Sequence, residues 1–182
     1  MTKPPLPSDR AAVKQLLVSG HVTPATRAVL EHRLMPPEPA GQVFTPAERT
    51  RLRAVAARLV PHDPAEHDLV GAVEGRLARQ EGKGWRYAEL PPGAEAYRAL
   101  LGSLSPAFEK LSATEQDGVL YTAQRAQPRA FEDLLAELVE AYASHPLTQW
   151  RWGVVPYADV PGWASPGLNA REAWEPPLPE PE

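Results

Sequence analysis

The chain has 182 residues, of which 43% are hydrophobic and 23% are charged, and its formal net charge is −4. This length is typical of one domain that buries its own core, and the negative charge gives no electrostatic reason to expect binding to nucleic acid. The sequence has no cysteine, which excludes disulfides, thiolate catalysis and cysteine-ligated zinc or iron–sulfur clusters.

Proline is unusually common, with 22 residues where average usage is about 5%. It clusters near both ends of the chain and once between them, at 4–7, 36–39 and 176–181. Such runs cannot form the interior of a helix. We interpret 1–8 as a disordered or extended tail, 9–175 as a single helical domain with a linker at 36–39, and 176–182 as a second tail rich in proline and glutamate.

Most other prolines stand where helices are predicted to begin. A capping side chain followed by proline at the first helical position is a start signal, and it occurs at Thr23-Pro24, Thr45-Pro46, Asp63-Pro64 and Ser105-Pro106. Two capping boxes, in which the cap and a glutamate three residues later satisfy each other's backbone donors, are Thr45 with Glu48 and Ser112 with Glu115.

Apolar residues recur at helical spacing after these starts. The segments that show this pattern most clearly are 9–18, 52–59, 66–80, 97–104, 114–125 and 128–144. Strand alternation is weak, and only Val154-Val155 suggests a short extended piece. We therefore predict an all-α orthogonal bundle of about seven helices, followed by a long irregular C-terminal segment rich in tryptophan and proline.

No sequence motif for catalysis or phosphate binding appears. The motifs Glu-x-x-His, His-Glu-x-x-His and Gly-x-Ser-x-Gly and the P-loop pattern are all missing. The nearest metal-like cluster is His62, Asp63, Glu66 and His67. We favour an exposed helix start there over a metal site, because Asp63 suits an N-cap and Glu66 suits the positive end of the helix dipole.

Two further groups of charged residues have an ordinary structural interpretation. His145 precedes a proline, and we predict that it ends a helix, where its cation suits the negative end of the dipole. The arginines 49, 51, 53 and 58 are interpreted as a solvated helix face rather than a nucleic-acid patch. We therefore predict no catalytic, cofactor-binding or metal-binding residues in this chain.

Aromatic residues concentrate near the C-terminus. Trp150, Trp152, Tyr157 and Trp163 lie within one short stretch broken by glycine and proline. Lone aromatics usually pack against their own fold, but tryptophan is enriched in the energetic centres of protein interfaces. We predict that these four side chains lie on or just beneath a partner-binding surface.

Three stretches together resemble a known family. They are FTPAERTRLRAVAARLVPHDP at 44–64, GWRYAELPPGAEAYRALLGSL at 84–104, and FEDLLAELVEAYASHPLTQWRWG from Phe131, followed by YADVPGW ending at Trp163. Over residues 44–163 the chain is similar to the gluconate 2-dehydrogenase subunit 3 family. It departs from many members at 145–149, where they are rich in glycine, and it has no twin-arginine export signal.

The resemblance implies a small accessory subunit of a sugar or polyol dehydrogenase. In that family the large subunit is a flavoprotein of the glucose–methanol–choline type, which holds the FAD, and a cytochrome c often accepts the electrons. The small subunit holds no cofactor and helps its partner to mature. Without a signal peptide the expected location is the cytoplasm, or the periplasm or membrane surface if an exported partner carries the chain. The alternatives are a stand-alone helical adaptor or chaperone-like protein, and an enzyme with an unfamiliar site near His62 and His67.

Overall fold

The structure is a computed structural model, and it describes residues 9–37, 43–80 and 86–154. Within these ranges the chain is helical and has no strand. The helices are α1 (Asp9–Leu17), α2 (Pro24–Leu34), α3 (Pro46–Leu59), α4 (Leu69–Ala78), α5 (Gly93–Ser103), α6 (Ala113–Ala126), α7 (Pro128–Ala143) and α8 (Pro146–Arg151), with a 3₁₀ helix at Phe108–Lys110. The predicted all-α bundle is confirmed, and α8 is the helix that neither the start signals nor the periodicity revealed.

Side-chain caps fix several helix starts where the sequence placed them. The Thr45 hydroxyl accepts a hydrogen bond from the Glu48 amide at 3.2 Å, while the Glu48 carboxylate accepts from the Thr45 amide at 2.8 Å. The same reciprocal pair forms between Ser112 and Glu115. Thr23 caps α2 by accepting from the Thr26 amide at 3.3 Å. Each cap satisfies an amide that would otherwise lack an intrahelical partner.

Two predicted starts are wrong. Asp63 does not begin a helix, because its carboxylate accepts from the Ala65 amide at 2.9 Å and closes a local turn. Helix α4 begins later, at Leu69, with Asp68 as its N-cap. The Ser105 carbonyl likewise accepts from the Phe108 amide in a turn, so the short helix begins at Phe108.

The described helices form two apolar cores. The larger lies among α3–α7, which we call the main bundle, and its fully buried side chains include Leu52, Val73, Tyr97, Phe108 and Leu138. Burying one large apolar side chain contributes about 1.5–3 kcal/mol, so this core supplies most of the driving force for folding.

The smaller core joins α1, α2 and α8, which we call the three-helix unit. Its buried residues are Val13, Leu17, Leu30, Leu34 and Leu147. The unit therefore combines the first two helices of the described chain with the last one. Among the described residues, every helix is too short or too polar to cross a bilayer.

Candidate functional site

One side of helix α8 packs against the rest of the protein, and the other side is exposed to solvent. Proline at its first position and a side-chain cap from His145, whose Nδ1 accepts from the Leu147 amide at 3.3 Å, start the helix directly after α7. Leu147 is buried in the smaller core. Trp150 and Trp152, three and five residues further on, are 39% and 58% exposed.

These two tryptophans are half of the predicted partner surface. Both indoles are partly exposed to solvent, and their role in binding a partner stays a prediction. The ring of Trp152 also meets that of Tyr142 in an edge-to-face arrangement, with centroids 6.0 Å apart, so this indole packs partly on its own fold. Tyr157 and Trp163 lie outside the described residues.

Beneath α8 lies a buried pair of histidines. His67 is 3% exposed, and its Nε2 lies 2.9 Å from the Thr148 hydroxyl. Its ring stands 4.3 Å from that of His145 and 5.1 Å from that of Tyr142, measured between centroids. The His67 Nδ1 is buried and makes no hydrogen bond within the part of the chain that the structure describes. Buried polar atoms of this kind are uncommon in native proteins.

Burial controls the ionisation of both rings. It lowers the pKa of His67, and it lowers the pKa of His145 to about 4, with the neighbouring His67 ring adding to the effect. Both imidazoles are therefore neutral near neutral pH. The predicted role of His145 as a cation at the end of a helix is wrong, because α7 ends at Ala143 and His145 instead caps the next helix in its neutral form.

A network of charged side chains lies at the surface beside the buried histidine pair. The Arg151 guanidinium donates to both carboxylate oxygens of Glu66, at 2.7 and 2.8 Å, and to Asp9 at 2.8 Å. This hydrogen bonding lowers the pKa of Glu66. The three residues belong to the segment before α4, to α8 and to α1, so the network ties both apolar cores together at the surface.

The cluster at 62–67 is not the exposed helix start that we predicted. His67 is buried, Glu66 binds Arg151 rather than a helix end, and the His62 Nδ1 lies 2.6 Å from the Val60 carbonyl oxygen. Over residues 9–37, 43–80 and 86–154, no group of three or more histidines and carboxylates is arranged to hold a metal ion.

The arginines of α3 are not simply a solvated face. Arg49 pairs with the buried Glu74, Arg51 donates to the carbonyls of Leu101 and Pro106, and Arg58 pairs with Asp117. Three of the four thus anchor α3 to neighbouring elements, and Arg53 is exposed. The periodic pattern placed these residues off the apolar stripe correctly, but it could not reveal their distant partners.

Sequence reasoning missed Thr148, Tyr142, Asp9 and Arg151 as members of this site. Their partners are far away along the chain, and no local motif marks such contacts. Comparisons of the chain with protein-family models, with curated proteins and with solved structures give no match. The family resemblance of residues 44–163 therefore stays a prediction.

Proposed function

We propose that this chain is a non-catalytic accessory subunit that binds a flavin-dependent dehydrogenase of the glucose–methanol–choline type through a surface that includes α8. The observation that carries the docking surface is the pair of exposed tryptophans, Trp150 in α8 and Trp152 at the C-cap of that helix. The partner class comes from the family resemblance of residues 44–163. In this proposal the FAD belongs to the partner, and a cytochrome c accepts its electrons.

The tryptophans are suitable for docking because α8 is packed against the rest of the protein. Leu147 and Thr148 are both about 1% exposed and hold the helix against its own fold. The indoles of Trp150 and Trp152 are thus presented from a fixed backbone, which limits the entropy lost on binding. Truncating a tryptophan at the centre of an interface typically weakens binding by about 2–4 kcal/mol, which corresponds to about 30-fold or more in Kd.

Co-expression tests the proposal directly. The tagged chain is produced together with candidate flavoprotein dehydrogenases of the glucose–methanol–choline type, and the purified material is examined for a second subunit and for the visible absorbance of FAD. We expect a flavoprotein complex in which Trp150→Ala or Trp152→Ala raises the Kd by about 30-fold or more. Tyr121→Ala, which truncates an exposed aromatic side chain on α6, is the matched control and should bind as the wild type does.

The possible outcomes separate the parts of the proposal. If the flavoprotein binds but neither tryptophan variant weakens the complex, the docking surface is not on α8. If the chain instead purifies with an unrelated protein that lacks flavin, the adaptor or chaperone-like function is correct. Substrate turnover by the isolated chain, with no second protein present, would overturn the non-catalytic role.

A further inference from the structure

We infer that the contact between the two apolar cores is an acid-sensitive joint, in which protonation of His67 and His145 releases the three-helix unit while the main bundle stays folded. This inference is independent of the accessory-subunit role, since it concerns only contacts within the chain. It rests on where the two imidazoles lie and on what surrounds them.

The histidine pair lies where one core ends and the other begins. His67 directly precedes the N-cap of α4, and the first residue of that helix, Leu69, is part of the larger core. Thr148, which contacts the His67 Nε2, directly follows Leu147 of the smaller core. The His67–Thr148 contact therefore connects the two cores through a single hydrogen bond between buried polar side chains.

A proton on either ring meets an unfavourable environment. The two imidazoles are 4.3 Å apart between centroids, so a charge on one disfavours a charge on the other. Arg10 of α1 and Arg151 of α8 add positive charge, and Glu66 opposes them. Among the described residues, the charged and titratable groups that act on the pair are Arg10 from α1, His62 and Glu66 from the segment before α4, Tyr142 from α7 and Arg151 from α8. Asp9 of α1 bonds Arg151.

The carboxylates of this network are already engaged. Glu66 and Asp9 both accept hydrogen bonds from Arg151, so they are poorly placed to compensate a new imidazolium. The lowered pKa of Glu66 also keeps that ion pair intact in mild acid. Mild acid therefore acts on the histidines and leaves the Arg151–Glu66 pair charged.

Proton linkage predicts that the three-helix unit opens more readily as the pH falls. In the released state each imidazole regains an ordinary pKa near ~6.5, so below that pH the released state binds more protons than the closed state and is favoured. For His145, whose pKa is about 4 when closed, the opening equilibrium should rise about 20-fold between about pH 7 and about pH 5. His67 adds to this increase, because burial lowers its pKa also.

Amide hydrogen exchange of the full chain, corrected for the intrinsic pH dependence of exchange, measures this opening helix by helix. Between about pH 7 and about pH 5 we expect protection in α1, α2 and α8 to fall by about 20-fold or more. At each pH these three helices should exchange with a smaller free energy of opening and a weaker urea dependence than α3–α7, which exchange only through complete unfolding. One common free energy of opening and one urea dependence for all helices, or no loss of protection in the three-helix unit, would overturn the inference.

A double variant removes the titration and keeps the hydrogen bonds. In His67→Gln the side-chain amide reaches the position of the imidazole Nε2 and can bond Thr148, and in His145→Asn the amide oxygen replaces Nδ1 as the cap of α8. The double variant should lose the pH dependence, whereas the control His32→Gln, at an exposed site on α2, should behave as the wild type. A double variant that still opens in acid as the wild type does contradicts the role of the pair.

Proton chemical shifts of the imidazole rings in the wild-type chain keep the inference testable if the double variant does not fold. The His67 and His145 resonances should titrate below the ordinary histidine range, in step with the loss of protection in α8. If either ring instead titrates with an ordinary pKa near ~6.5 while α8 stays protected, the joint is not acid-sensitive.

Discussion

The buried ion pair between α3 and α4 offers a quantitative test of the fold. The Glu74 side chain is 6% exposed, and its carboxylate accepts from the Arg49 Nε at 2.9 Å, from the Arg49 Nη2 at 2.7 Å and from the Phe44 amide at 3.1 Å. Arg49→Met removes both charge-assisted bonds and leaves the carboxylate buried. Breaking a buried pair in this way costs about 3–5 kcal/mol. Because the Arg49 side chain is 28% exposed and water partly enters the gap, we expect about 3 kcal/mol.

The reverse change should be milder. In Glu74→Gln the side-chain oxygen can still accept from the Phe44 amide, and the half-buried Arg49 can turn toward water, so we expect a loss of about 1.5 kcal/mol. The double variant Arg49→Met/Glu74→Gln leaves no unpaired charge and should lose about 2 kcal/mol, less than Arg49→Met alone. The order of the three values follows from which partner is the more deeply buried.

The pH dependence of Arg49→Met has a defined sign. Burial opposes ionisation of Glu74, but hydrogen bonds from Arg49 and Phe44 outweigh it and lower the pKa of the carboxyl in the wild type. The wild type therefore keeps this contribution down to the ordinary carboxyl range and loses it in stronger acid. In Arg49→Met burial dominates and raises the pKa of Glu74, so protonation relieves the buried charge. The stability difference between the two chains should narrow between about pH 7 and about pH 5.

Urea denaturation followed by far-UV circular dichroism gives the required free energies of unfolding. Comparing each variant with the wild type at the same pH cancels the contribution of the histidine joint. Arg53→Met, at an exposed position of the same helix, is the control and should change stability by less than about 0.5 kcal/mol. The reasoning is refuted if Arg49→Met costs less than Glu74→Gln, or if its deficit grows in acid.

Two further predictions concern the helices. Thr45→Ala and Ser112→Ala each remove a capping box and should lower the free energy of unfolding by about 1 kcal/mol. The control Thr50→Ala, inside α3, should be nearly neutral. If thermal denaturation shows that Thr50→Ala destabilises the protein as much as the two cap variants do, the prediction is contradicted. Gly118→Ala should stabilise α6 by about 0.8–1 kcal/mol, because a Cβ at this position meets open space. Gly71→Ala should destabilise the fold instead, since its Cβ collides with the carboxylate that caps α4, and equal melting temperatures for the two alanine variants would show that packing is not the deciding factor.

The sequence predicted well those helix boundaries that depend on contacts between neighbouring residues. Thr45 and Ser112 cap helices because each stands three residues before a glutamate, and the reciprocal hydrogen bonds between cap and glutamate need no distant partner. The strongest apolar stripe, at 128–144, appears as α7 at Pro128–Ala143. Asp63 misled the prediction because an aspartate before proline is equally suited to closing a turn. Helix α4 begins instead where Asp68 supplies the cap and Leu69 enters the larger core.

The candidate site depends on contacts that no pattern marks. His67 and Thr148 are 81 positions apart, and Arg151 and Asp9 are 142 apart. A histidine before proline resembled the end of a helix, yet the burial of its ring makes the neutral form dominate and turns it into the cap of α8. The sequence shows that tryptophans cluster near the C-terminus, but the exposure of each indole depends on how Leu147 packs in the smaller core.

The arrangement of the smaller core also has a consequence for how the chain is made. A ribosome releases α1 and α2 first, but Leu147, which completes their apolar contacts, emerges after the whole main bundle. Until then Val13, Leu17, Leu30 and Leu34 have no completed core to enter, and a nascent chain of this kind is a natural client for chaperones that shield apolar surface during synthesis. A chain truncated before Pro146 would leave these apolar side chains permanently exposed. Helix α8 is therefore the last part of the chain needed to complete the smaller core.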